Sequence, residues 1–191
     1  MIGRKEMDEM TGKVYTIRDI EALPEGKRAE LIDGQMYEMA SPSRTHQGLL
    51  VALLRVISNY IEEKGGPCEV YPAPFAVYIN NDEYNYLEPD VVVICNEDKL
   101  DEKGCHGAPD WAIEIVSPSS VKMDRKLKLF KYRTAGVREY WIVDPAKRTI
   151  EVHCFFKNEE KEYSFHDTVP TGIYEDFAID FNKLIKFIHA S

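Results

Sequence analysis

The period of the apolar positions changes several times along the chain, and each change marks an element. From Thr45 to Lys64, Leu49, Leu50, Leu53, Leu54, Ile57 and Ile61 recur at helical spacing and Gly65-Gly66 supplies a stop, which predicts the longest helix. "LEPDVVVIC" and "DWAIEIVS" are instead near-continuous β-branched runs, the composition of strands covered on both faces, and they predict the centre of a sheet. "AELIDGQMYEMA" reads as two short strands about a turn at Asp33-Gly34, because both residues tolerate positive φ. "CEVYPAPFAVYI" is extended but interrupted by proline, which suits a sheet edge. Between "AIEIVS" and "YWIVD", residues from about Ser120 to Ala135 predict an amphipathic helix with Met123, Leu127, Phe130 and Thr134 along one apolar stripe and Gly136 ending it. Strand, helix, strand in that order implies a right-handed crossover within one sheet. "TIEVHCFF" and "EYSFHD" alternate as a C-terminal hairpin, a short helix follows near Asn182 to Ile188, and Thr16 can cap another that ends before Pro24.

Length and composition narrow the possibilities. At 191 residues, with no linker or repeat, the chain predicts one domain, 1–191, with 1–12 as a flexible N-terminal tail. A net charge of -9 excludes a general coat of positive surface, so any polyanion partner must find a local patch. Cys68, Cys95, Cys105 and Cys154 include no CxxC pair, which points away from zinc and disulfide frameworks and toward reduced thiols. With neither a signal pattern nor a spanning apolar stretch, a cytoplasmic protein with no membrane partner is expected.

The chemistry centres on Glu114, a carboxylate inside the apolar run "AIEIV". A buried carboxylate is costly unless it is paired, hydrogen-bonded or bound to a cation. Alternation places Asp110, Ala112, Glu114 and Val116 on one face of the strand. Asp110 is nevertheless about 13 Å away, too far to share a small cation. Asp90, at the head of the preceding strand, is the better partner because neighbouring strands lie only ~4.8 Å apart. Two carboxylates so placed can hold magnesium, although a structural ion pair with a nearby lysine or arginine would also satisfy them.

A Pro-Asp, an acid in an apolar strand some twenty residues on, and a lysine-bearing helix after it resemble the PD-(D/E)XK nuclease superfamily. The blocks "AELIDGQ", "SPSRTHQ", "EPDVVV", "EIVSPSS" and "DRKLKLFKYRTAGVREYWIVDP", in that order, resemble more narrowly the Uma-type family of restriction endonucleases. The resemblance implies an α/β restriction-endonuclease-like core, a mixed sheet flanked by helices. It also implies a metal-dependent phosphodiesterase with Mg2+ or Mn2+ held by Asp90 and Glu114; charge adds Glu30, directly or through water, and the main-chain carbonyl of Ile115, since hard cations accept backbone oxygens. The superfamily places lysine two residues after the acid, and here that position is Val116. The cation must therefore come from the helix. Lys128 lies on the row Asp124, Lys128, Tyr132 that matches the family, but at 100° per residue it points about 130° from the apolar stripe, whereas Lys126 and Lys131 flank that stripe more closely.

Between Lys122 and Arg138 stand seven basic residues against one acid, Asp124, which makes this the candidate patch for phosphate. Arg125, Lys126, Lys131, His46 and Tyr132 are the candidate substrate contacts, each with a blander reading as a solvated face, a cap or packing. The expectation is an endonuclease acting on DNA, as a homodimer because cutting a duplex usually takes two sites. The alternative is a catalytically silent member of the same fold that binds nucleic acid or protein.

Overall fold

The structure, a computed structural model, describes residues 12–118 and 120–188; the expected N-terminal tail, apart from Gly12, lies outside the described residues. After α1 (Ile17–Glu21), β1 (Ala29–Ile32) and β2 (Gln35–Glu38) pair antiparallel about Asp33 and Gly34, whose φ values of 50° and 74° supply the positive backbone angles the turn needs. The long helix α2 (Arg44–Lys64) begins at Ser43, whose side chain accepts the main-chain N–H of His46, and ends at left-handed Gly65.

β3 (Glu69–Pro72), β4 (Val77–Tyr78), β5 (Val91–Ile94), β6 (Leu100–Asp101), β7 (Gly104–His106) and β8 (Trp111–Ile115) follow. Next come a π-helical segment, Met123–Lys128, and α3 (Leu129–Ala135). β9 (Glu139–Asp144), β10 (Thr149–Cys154), β11 (Glu159–Ser164), β12 (Thr168–Pro170), β13 (Ala178–Asp180) and a 3-10 helix, Phe181–Phe187, complete the chain.

The principal sheet is six-stranded in the order β11-β10-β9-β8-β5-β3. β8 and β9, joined through the π segment and α3, are parallel neighbours, and the remaining pairs are antiparallel. The expected mixed sheet with a C-terminal hairpin is therefore present, with the proline-bearing β3 at one edge and the hairpin strand β11 at the other.

Both faces of the central strands are covered, which is why their sequences are apolar without alternation. On one face Leu49, Leu53 and Ile57 of α2 pack against Val91, Val93, Trp111, Ile113 and Trp141. On the other, Val92, Ile94, Ala112, Tyr140 and Ile142 meet Ile32, Leu87 and Tyr132. Asp90 and Glu114 lie on this second face, beside Val92 and Ala112.

Two expectations are corrected. The apolar stripe through Phe130 does not face the core: Phe130 is 64% exposed, while Asp124, Lys128, Lys131 and Tyr132 are buried. The helix contains a π segment, in which Leu129 N–H bonds to the Asp124 carbonyl, and the face it turns to the sheet is the polar row Asp124, Lys128, Tyr132, met there by Glu114 and Glu30. A disulfide joins Cys68 and Cys95, where reduced thiols were expected. Glu69 pairs with Ile94 across β3 and β5, so the cysteines one step further along face each other, a neighbourhood that their separation of 27 residues conceals. Cys105 and Cys154 are free and buried.

Leu53→Ala, emptying a fully buried position of α2, should cost about 3 kcal/mol in urea denaturation. Val51→Ala on the same helix, at a side chain 55% exposed, should stay within about 0.5 kcal/mol.

Candidate active site

β5 and β8 pair with Val91 opposite Ile113. One further step in this antiparallel register sets Asp90 opposite Glu114, on the face shared with Val92 and Ala112. The two acids are tied together through the backbone as well, since the main-chain N–H of Ile115 donates to Oδ2 of Asp90 at 2.7 Å.

The β1–β2 hairpin brings the third acid. Leu31 and Tyr86 exchange main-chain hydrogen bonds, and Asp33 N–H donates to the side chain of Asn85, so β1 is pinned beside the segment leading to Asp90. Glu30 is 1% exposed, not at the surface as an acid before a turn commonly is. Its Oε1 accepts the main-chain N–H of Glu88 at 3.0 Å.

Helix residues close the site from above. Lys128 Nζ lies 2.8 Å from Glu30 Oε2, 2.9 Å from Glu114 Oε1 and 3.5 Å from Asp124 Oδ1. The Tyr132 hydroxyl donates to the same Glu114 oxygen at 3.0 Å. Tyr140, on β9, donates its hydroxyl to the main-chain carbonyl of Asp124 and so holds the π segment against the sheet. Neither Tyr140 nor Glu88 was among the sequence candidates. Their contributions pass through main-chain atoms, for which the sequence carries no signal.

His46 Nε2 sits 3.1 Å from Asp90 Oδ2. Lys126 is exposed and Lys131 Nζ is 2.5 Å from Asp33 Oδ1, so Lys128 is the helix lysine that reaches the acids. Arg125 pairs with Asp144 and Glu151, and Arg138 with Asp110. The run of seven basic residues is therefore not a free positive patch: Lys128, Lys131, Arg125 and Arg138 are each engaged by acids. Tyr132 is fully buried and cannot touch a substrate without movement, so its contact is with Glu114. Val116 packs in the apolar cluster of this face.

Three acids, Glu30, Glu114 and Asp124, surround one ammonium, with Asp90 beside Glu114, and this imbalance sets the electrostatics. Burial raises the Glu114 carboxyl well above the usual range against the pull of Lys128, with Asp124, Asp90 and Glu30 adding repulsion. Burial likewise raises Glu30, against Lys128 and the Glu88 N–H. Burial draws Lys128 down, but Glu114, Glu30 and Asp124 outweigh it and hold its pKa well above the ordinary value. Burial, then the Glu114 charge, keeps the Tyr132 phenol protonated.

The donor set can be tested against a divalent cation. Among the described residues, no three His, Cys, Asp or Glu side chains are gathered as a metal cage. Both Glu30 oxygens already accept a hydrogen bond, from the Glu88 N–H and from Lys128, so it is the more engaged of the carboxylates. Among the described residues the hydrogen bonds of Asp90 fall on Oδ2 and those of Glu114 on Oε1, leaving one oxygen of each available. Two carboxylate oxygens fit an ion such as Mg2+ that keeps most of its water and takes the rest from phosphate.

Comparison with known proteins bears on the fold and the family. The model of the Uma2 family, described as "Putative restriction endonuclease", matches residues 17–177. An uncharacterized protein of Synechocystis sp., slr1290, is 29% identical over 141 residues, covering 72% of this chain and 70% of that one. In three dimensions the chain is similar to a crystal structure titled a "putative nuclease belonging to DUF820" from Anabaena variabilis. The TM-score is 0.74 at 18% identity, over 91% of this chain and 99% of the other. No helix among the described residues is long and apolar enough to cross a membrane.

A carboxyl whose pKa is raised on folding binds its proton more tightly folded than unfolded, so stability is lost as pH climbs from the unfolded to the folded value. Glu114→Gln keeps an acceptor for Lys128 and Tyr132 while removing the charge. Its melting temperature relative to the parent should therefore rise as pH climbs above the ordinary carboxylate range, measured without divalent ions. A difference that stays flat above that range would show that Glu114 titrates normally.

Proposed function

Since the chain belongs to the Uma2 family, we propose that it hydrolyses phosphodiester bonds in DNA with a divalent cation, Mg2+ or Mn2+, held by Asp90 and Glu114. One observation carries this reading. Two carboxylates face each other across adjacent strands, each with one oxygen left available, and a buried ammonium is fixed beside them. When bound, the cation supplies Lewis-acid polarisation of the scissile phosphate and a more acidic water.

The protein's own groups set the stage for that chemistry. Lys128, kept protonated by Glu114, Glu30 and Asp124, is unsuited to be a general base and serves as a fixed positive charge for the developing anion. Lys128 and Tyr132 both donate to Glu114 Oε1, which orients the carboxylate and spares Oε2. Glu30 acts one step back, as the acceptor that anchors Lys128. The Ile115 main chain contributes through its N–H on Asp90, and its carbonyl is a candidate further ligand. Asp90, 9% exposed, is the most accessible of these side chains, so phosphate would approach from its side, past His46.

A second reading, a silent nucleic-acid- or protein-binding relative, draws on the same ammonium: Lys128 already neutralises part of the acid cluster without any metal. A homodimer acting on duplex DNA and a cytoplasmic setting belong to the first reading.

Purified protein incubated with supercoiled, linear and single-stranded DNA should cut in Mg2+ or Mn2+ and lose cleavage in chelator. Asp90→Asn and Lys128→Met should each reduce the rate by about 100-fold or more. Undiminished cutting by both variants would remove the site assignment, and undiminished cutting in chelator would remove the metal.

A further inference from the structure

The N-terminus of α2 meets the site at a single side chain. Ser43 caps the helix by accepting the His46 main-chain N–H at 3.2 Å, which fixes the backbone of the first turn. From there the imidazole reaches Asp90, with Nε2 3.1 Å from Oδ2 and the side chain 15% exposed. An ionised carboxylate only accepts, so Nε2 must carry the proton and donate it. The other ring nitrogen, Nδ1, is buried and has no hydrogen-bond partner among the described residues. Among the described residues the ring is thus anchored through one hydrogen bond, and that bond goes to the most exposed of the clustered acids.

The effect on Asp90 is geometric. Oδ2 receives two donors, Ile115 N–H from the neighbouring strand and His46 Nε2–H from the helix. Two donors from different elements fix the plane of the carboxyl group and reserve Oδ1 for another partner. Groups that orient a ligating carboxylate in this way commonly affect metal affinity by 10- to 100-fold. The contact also couples the two faces of the sheet, because α2 packs on the face opposite to Glu114 and its first turn reaches round to Asp90.

We propose that His46 is a positioning residue for the cation site: through its Nε2–H it presents the free oxygen of Asp90, without touching the cation or the substrate. The inference rests on the metal-dependent reading above and adds a residue that a phosphate-contact role would use differently.

The test is Mn2+ binding by isothermal titration calorimetry, with no nucleic acid present, on the parent, His46→Phe, His46→Gln and Asp90→Asn. His46→Phe keeps a ring but lacks the donor, and should weaken Mn2+ binding about 10-fold or more. His46→Gln places an amide N–H near the position of Nε2 and should stay within about threefold of the parent. If His46→Phe fails to fold, His46→Asn, whose shorter amide falls short of Asp90, takes its place with the same expected loss. Equal affinity of the donor-less variant and the parent overturns the proposal, as does a glutamine variant as weak as phenylalanine. Asp90→Asn separates the two levels. Its binding Mn2+ like the parent, or a parent that binds none, overturns the metal-site assignment itself and this inference with it.

Discussion

The arrangement depends on one buried ammonium. Lys128 Nζ is the positive centre that allows Glu30 and Glu114, from two separate sheets, to be buried side by side. Removing either partner of such a group leaves an uncompensated buried charge, which typically costs 3–5 kcal/mol. The hairpin, the central strand and the helix are therefore fastened to one another at the point where the chemistry is expected. Because three acids surround that ammonium, with Asp90 next to Glu114, carboxylates outnumber ammonium groups at this point.

Reaching that geometry requires the helix to present its charged side inward. The π segment does this, and Tyr140 secures it by bonding to the Asp124 carbonyl, the same atom that accepts the i→i+5 bond. Short π segments are costly and recur at functional sites. Here the segment carries Asp124 and Lys128 on the side facing the sheet, while Phe130 lies in solvent.

Much of the fold was legible because it rests on local rules. The β-branched runs, the Asp33-Gly34 turn, the Gly65 stop and the crossover between β8 and β9 follow from periodicity and turn chemistry. Strand alternation likewise set Asp90 and Glu114 on one side. What was not legible was non-local. The inward row of the helix was obscured because its partners, Glu114 on β8 and Glu30 on β1, come from other elements, so apolar spacing alone pointed to the wrong face. The burial of Glu30 depends on contacts with Tyr86 and Glu88, more than fifty residues away. The cysteine pair depends on the β3–β5 register, and the link from His46 to Asp90 joins elements 44 residues apart. The basic run looked like a phosphate patch only because acids such as Asp144, Glu151 and Asp110 are distant in sequence.

The outer edge of the principal sheet has a meaning beyond the site. β11 carries Glu159, Glu160, Lys161 and Glu162 in succession, all exposed, on a rim whose outward main-chain groups would otherwise be a template for another strand. Three carboxylates in four residues set against a second copy of themselves repel, so the sheet is protected from growing end to end into a fibre. Two molecules gripping opposite strands of one duplex would have to meet through some other surface, leaving this rim facing water.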